Sequence, residues 1–216
     1  MGLTIHYELR LSDTKSPEDV DRVLGAMRAQ AIQLRFADVK RLSMMNTSAP
    51  ESKWLSFWAS FIAEPNPDDI PSMMGEPESA RGFVVYPGQG AETATFGFLR
   101  RRDESGACGE WYWRAFCKTQ YASTVSAEHF VRCHRLITHL LDFAVTLGVD
   151  VSVLDDGEYW ETRDESLLMQ HVERANHLVA TLGGRLMDTL GADQPVHSPI
   201  FAHPRFEHLE MGIEDD

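Results

Sequence analysis

The sequence predicts an α+β fold: a mixed, largely antiparallel sheet of about six or seven strands with three main helices packed on it. Three observations lead there. Leu3, Ile5, Tyr7, Leu9 and Leu11 alternate with polar residues at the period of a half-buried strand. Three strand-like segments then follow one another, separated only by turn-rich runs, as in an antiparallel meander. Finally, the order strand, helix, several strands, helix, strand, helix does not alternate as a doubly wound α/β fold does.

After the first strand, Ser16-Pro17-Glu18-Asp19 opens a helix. Ser16 can cap the free amides, Pro17 suits the first turn, and two carboxylates favour the positive end of the dipole. Val20, Leu24, Met27, Ala31 and Leu34 form its apolar stripe. A short strand is predicted over Val39 to Met45 and a longer one over Trp54 to Ile62, the latter rich in β-preferring aromatics with apolar groups on both faces. Four prolines between Glu64 and Glu78 predict a long mobile surface loop.

The meander comprises Arg81 to Tyr86, Thr93 to Arg101 and Glu110 to Lys118, joined by PGQGAE and RDESGACG. Ser126 to Leu147 is the strongest helix, with Phe130, Cys133, Ile137, Leu140, Ala144 and Leu147 on one face and Gly148 as its stop. A strand from Val149 to Leu154 precedes a last helix. Its start is read as a capping box from Thr162 to Glu165, its stripe as Leu168, Val172, Ala175, Val179 and Leu182, and its end as Gly183-Gly184. The chain from 1 to 216 reads as one globular domain, closing with a docked HSPIFAHPRF segment and an acidic, frayed tail over 209–216.

Composition narrows the partners. Thirty-three acidic residues against twenty Lys and Arg give a net charge of −13, which repels a nucleic acid backbone, and Arg100, Arg101 and Arg102 are followed at once by Asp103 and Glu104. No apolar run reaches the ~18 residues of a membrane span. The N-terminus has neither the shape of a secretion signal nor the Ser or Thr of a myristoylation site. Three cysteines lack the spacing of a disulfide framework or zinc clip. These features predict a cytoplasmic protein that binds an unknown small molecule or protein, or itself as a homodimer, without nucleic acid or membrane and with no cofactor assigned.

The densest unusual run is WYWRAFCKTQY, Trp111 to Tyr121. In a strand, Arg114 and Lys118 share one face with Tyr112 and Phe116, and the strand ends in Lys118, Thr119, Gln120 and Tyr121. A second polar run, Asp155 to Glu161, follows the Val149 to Leu154 strand, where carboxylates can act as acid and base or hold a cation. Together they predict a ligand site of Arg114, Lys118, Gln120, Tyr121, Asp156 and Trp160. The alternative is a Cys/His-dependent enzyme, with Cys117 as nucleophile and His129 as its base. A third reading is an acidic protein-interaction module. His129 and Cys133 lie four apart on one helix face, and with Cys117 they suggest zinc chemistry, but three donors without a fourth assign no metal.

The runs FCKTQYAS (Phe116 to Ser123), HFVRCH (His129 to His134) and DDGEYW (Asp155 to Trp160) resemble a family of uncharacterised bacterial proteins. The likeness extends from the GLTIHYELRL opening to the C-terminal PIFAHPRFEHLE, and it implies no activity, substrate or cofactor.

Overall fold

A computed structural model describes residues 3–46, 77–102, 107–190 and 197–211. The strand predicted over Trp54 to Ile62 and most of the proline-rich loop lie outside these residues. The strands are β1 (Thr4–Leu11), β2 (Asp38–Val39), β3 (Ser43–Asn46), β4 (Pro77–Tyr86), β5 (Ala94–Arg101), β6 (Trp111–Lys118) and β7 (Asp150–Asp155). They form one seven-stranded antiparallel sheet in the order β2-β4-β5-β6-β1-β7, with β3 also paired to β4. The helices are α1 (Pro17–Gln33), α2 (Ala127–Thr146), α3 (Tyr159–Thr162), α4 (Glu165–Leu190) and α5 (Phe206–Met211), with single 3₁₀ turns at Gln120–Thr124 and Pro199–Ala202. The fold is α+β.

Register sets what each face of the sheet carries. Ile5 lies opposite Cys117, Leu9 opposite Trp113 and Leu11 opposite Trp111, and all six are buried on the side covered by helices. Helix α1 adds Val20, Leu24, Met27 and Ala31, and α2 adds Ile137, Leu140, Leu141 and Ala144 to the same core. Each buried Val, Leu, Ile or Met among them contributes roughly 1.5–3 kcal/mol on leaving water, which makes this inner layer a main source of stability. Its polar edges are satisfied: the Tyr7 hydroxyl and the Trp113 indole N–H both donate to the Thr95 carbonyl, at 2.7 and 3.1 Å.

Helix α1 begins as its sequence dictates, with a reciprocal capping box between Ser16 and Asp19. Four boundaries differ from the sequence reading. The segment Val39 to Met45 forms two short strands, β2 and β3, which pair with successive parts of β4. Pro77 and Glu78 belong to β4 instead of the loop, and Glu78 is held there by ion pairs to Arg100 and Arg102 at 3.1 and 3.0 Å. Helix α4 is capped by Asp164, whose side chain accepts from the amides of Ser166 and Leu167. Thr162 instead ends the separate short helix α3.

The fourth difference concerns the far end of α4. The helix runs through Gly183-Gly184 to Leu190, because these glycines serve close approach instead of termination. A Cβ at Gly183 would stand 2.9 Å from the Phe201 ring, and one at Gly184 would overlap the Glu210 carboxylate. The 199–211 segment therefore docks on the glycine face, where Ile200 and Leu209 are buried against Ala180. Residues 209–211, placed by the sequence reading in a frayed tail, end helix α5. Among the described residues, no helix is long and apolar enough to cross a membrane.

The β4–β5 turn also packs tightly. Gly90 has φ +81° and a Cβ there would meet the Tyr121 carbonyl oxygen at 2.3 Å. Both the conformation and the contact exclude a side chain, so Gly90→Ala is expected to lower unfolding stability by more than about 2 kcal/mol in urea. A change within about 0.5 kcal/mol, the usual range for an indifferent surface position, would contradict this packing.

Candidate functional site

The end of β6, the end of β7 and the first residues of β1 converge. The Thr119 amide donates to the Leu3 carbonyl, and the Asp156 amide donates to the Thr4 carbonyl, at 3.1 Å each. The Thr4 amide in turn donates to the Asp156 carboxylate at 3.2 Å. Thus the TQYAS run and the DDG turn are joined through the start of β1.

Beneath this junction lies a wholly buried polar chain. Thr119 Oγ1 is 2.9 Å from His134 Nδ1, and His134 Nε2 is 3.0 Å from Asp155 Oδ2. A carboxylate can only accept, so Nε2–H donates to Asp155, and Nδ1 on the other side of the ring shares its hydrogen bond with the Thr119 hydroxyl. The amides of Gly157 and Trp160 donate to the same carboxylate at 2.9 Å each. Burial pushes the Asp155 carboxyl up, yet the His134 bond and the two amides outweigh it and hold the group below the usual carboxylate range. Hydroxyl, imidazole and carboxylate stand in the order of a nucleophilic relay. All three residues are closed to solvent, however, with Thr119 and His134 at 0% exposure, so the chain acts as a clasp between β6, α2 and β7.

A second buried network continues from it. Gln120 Oε1 accepts from the Leu3 amide, Gln120 Nε2 donates to Asn176 Oδ1 at 3.0 Å, and Asn176 Nδ2 donates to Ser123 Oγ at 2.9 Å. The Ser123 hydroxyl closes the loop on the Gln120 carbonyl. Asn176 faces inward because this network needs it there. That orientation turns the inner face of α4 toward Leu168, Val172, Asn176 and Ala180, leaving Leu182 exposed where its sequence pattern placed it in the core.

The predicted ligand residues are therefore divided between interior and surface. Gln120 is wholly buried in the network. Lys118 Nζ stands 4.6 Å over the Tyr121 ring, and Tyr121 packs against the cluster formed by α4 and the 199–211 segment. Trp160 packs on the main core and is covered by the Arg163 guanidinium at 4.6 Å. Tyr121 and Trp160 thus belong to different apolar clusters. A cavity of about 310 Å³ lined by Asp38, Lys40, Val84, Val85, Tyr86 and Thr93 includes none of the predicted residues.

Arg114, Lys118 and Asp156 share the outward face of β6, β1 and β7. Along it, His6 pairs with Phe116 on one side and Leu154 on the other, while Glu8 pairs with Arg114 and Ser152. Phe116 is 55% exposed and Leu154 67%, and the His6 and Phe116 rings lie 5.9 Å apart. Arg114 reaches Glu8 at 3.7 Å across the same surface.

The thiols are arranged differently from the enzyme reading. The thiol that His129 touches is Cys133, at 3.5 Å, and His129 Nε2 already donates to the Gln89 carbonyl at 2.9 Å. The nitrogen facing the thiol is therefore occupied as a donor and is not a base. Cys117 is buried and directs its S–H to the Glu92 carbonyl, and burial, with Glu92 and Cys133 adding to it, pushes its pKa far above the ordinary thiol range. Burial likewise pushes Cys133 up to about 11. Among the described residues, no group of three or more His, Cys, Asp or Glu side chains is placed to hold a metal ion, so Cys117, His129 and Cys133 do not form the suggested zinc cluster. His203 and His208 are partly buried.

The chain matches no protein-family model, no curated protein and no solved structure.

Two predictions follow from the clasp and the thiols. Asp155 has a depressed folded pKa, so its contribution is present above the unfolded value near 3.8 and is lost as pH falls through the folded value. Asp155→Asn should cost about 3–5 kcal/mol at pH 7, as expected for breaking a buried pair, and should flatten the loss of urea midpoint below about pH 4. A variant with the wild-type acid profile would contradict the assignment. In native alkylation at pH 8, Cys108 should react at least about tenfold faster than Cys117 or Cys133, since only the thiolate attacks and both others are buried and raised. Rapid labelling of Cys117 would contradict the closed interior.

Proposed function

We propose that this chain is a protein-interaction domain whose partner lies across the outward face of β6, β1 and β7, at the end marked by Lys118 and Asp156. The observation that carries this reading is the row Phe116–His6–Leu154, two large apolar side chains more than half exposed on either side of a histidine in strict register. Such a row is an apolar anchor of the kind that interfaces bury at their centre.

The surroundings supply a mixed rim. Glu8, Arg10, Arg114 and Asp150 occupy the next positions of the same face, with both signs present. This mixture favours a partner matched in shape and local charge over a polyanion or a highly basic surface. The helices occupy the opposite side of the sheet, and the side chains of Thr119, Gln120 and Ser123 are taken up in internal bonds. The predicted residues that remain outward, Arg114, Lys118 and Asp156, all border this row.

A photo-crosslinking residue placed at Phe116 or Leu154 in the intact chain should give one heavier adduct of fixed mass, and the same probe at exposed Arg22 should not. Leu154→Asp should abolish the adduct formed from position 116 while leaving the urea midpoint unchanged. Equal labelling from all three positions, or none from any, would overturn the proposal.

A further inference from the structure

The sheet ends at β7, and that edge is open. β7 pairs with β1 alone, whereas the opposite end of the sheet finishes in β2 and β3, of two and four residues. In an antiparallel ladder the backbone groups of successive residues point alternately toward the partner strand and away from it. The Asp156 amide, opposite Thr4, donates to the Thr4 carbonyl, so Leu154, Ser152 and Asp150 turn their groups toward β1 in the same sense. Val151 and Val153 therefore direct their N–H and C=O groups off the sheet, and no group among the described residues bonds to them there.

The side chains agree. Those of Val151 and Val153 point inward in register with Leu9 and Tyr7, which are buried, yet both valines stay partly exposed. They lack a neighbour on the far side. Edge strands resist pairing with other chains through shortness, a proline, a lysine or a bulge. β7 runs six residues in unbroken register with β1, contains neither proline nor lysine, and carries its charges, Asp150 and Asp155, only at its ends.

We infer that β7 pairs antiparallel with β7 of a second copy of the chain, about a two-fold axis at Ser152, so that two sheets join into one. In that register Val151 lies opposite Val153 of the second copy, and the two residues exchange both of their backbone bonds. The axis repeats the same pair on its other side, which makes the contact self-complementary and closed.

What meets across the seam selects a second copy as the occupant. Val151 and Val153 are exchanged by the axis, so each open donor finds an acceptor and none of these groups is left over. On the inward side, the row of Leu9 and Val151 in one copy continues into Val153 and Tyr7 of the other, and the two valines gain the neighbour they lack. On the outward side Ser152 meets its own counterpart and Asp150 meets Leu154, so no like charges stand opposite each other. The seam is made by backbone groups at the edge, and the row Phe116–His6–Leu154 faces outward in the dimer as in the single chain. The inference is therefore independent of the function proposed for that row.

Sedimentation equilibrium of the full chain tests the inference. The wild type should show a concentration-dependent monomer–dimer equilibrium. Val153→Pro removes an amide that bonds only across the seam, a position where an edge strand tolerates proline, and should raise the Kd by about 30-fold through the loss of two hydrogen bonds per dimer. Ser152→Cys should crosslink to its own counterpart under mild oxidation, because such a non-hydrogen-bonded pair holds its Cα atoms about 4.5 Å apart, within disulfide reach. Asp150→Cys, whose counterpart lies four residues further along the second strand, should not. The cysteine pair keeps the test open should Val153→Pro fold poorly. A monomer at every concentration, a dimer indifferent to Val153→Pro, or equal crosslinking from positions 150 and 152 would overturn the inference.

Discussion

A carboxylate closed to solvent constrains one whole end of this molecule. Asp155 sits on the inward side of β7 and stays ionised only because His134 and the amides of Gly157 and Trp160 surround it. An unpaired buried charge costs several kcal/mol, so the turn after β7, the position of α2 and the run at the end of β6 must all be correct together. His134 reaches Asp155 with one nitrogen and Thr119 with the other, which ties α2 to two strands that β1 separates. The Gln120–Asn176–Ser123 network then brings α4 onto the same junction. Sheet and helices are thereby fixed in relative position by directional bonds, where apolar packing alone permits sliding.

This constraint explains why the polar residues that stand out in the sequence do not make a pocket. Thr119, Gln120, Ser123 and Asp155 have the chemistry of a site, and their partners are His134, Asn176 and neighbouring backbone groups. What the internal bonds leave exposed is the outward row of the sheet and the leucine row of α4. Both surfaces are set indirectly by the junction. The register of β1 against β6 and β7 places Phe116, His6 and Leu154 side by side, and the inward demand of Asn176 rotates Leu182 to the outside.

Much of the architecture was legible from periodicity. The strict alternation of β1 and the stripes of α1 and α2 each match the buried positions, because single-face burial leaves a clear period. The α4 stripe was misread for a definite reason. Two apolar rows run along that helix, and Asn176, a polar residue, belongs to the buried one. Only the presence of Gln120 and Ser123 across the junction makes that orientation favourable, and nothing local to the helix records it. Gly183-Gly184 misled in a similar way, since glycines that stop a helix and glycines that admit a neighbour look alike in sequence. His134 and Asp155 did carry a signal: His134 lies four after Phe130 on the buried side of α2, and Asp155 continues the inward positions of Val151 and Val153. Titratable residues on inward positions of two neighbouring elements are a reason to seek a buried pair. The cysteine reading met a different geometry: Cys133, one turn along the same helix, is the thiol beside His129, and the Gln89 carbonyl of the β4–β5 turn occupies the imidazole as a donor.

The central claim is that the Asp155 junction is part of the cooperative core. Native-state hydrogen exchange at the Gly157 and Trp160 amides, which donate to that carboxylate, tests it most directly. If the junction is as described, both amides exchange only through global unfolding, with opening free energies equal to the stability measured in denaturant. Exchange through local opening at a much lower free energy, with the β1 amides still fully protected, would contradict the account.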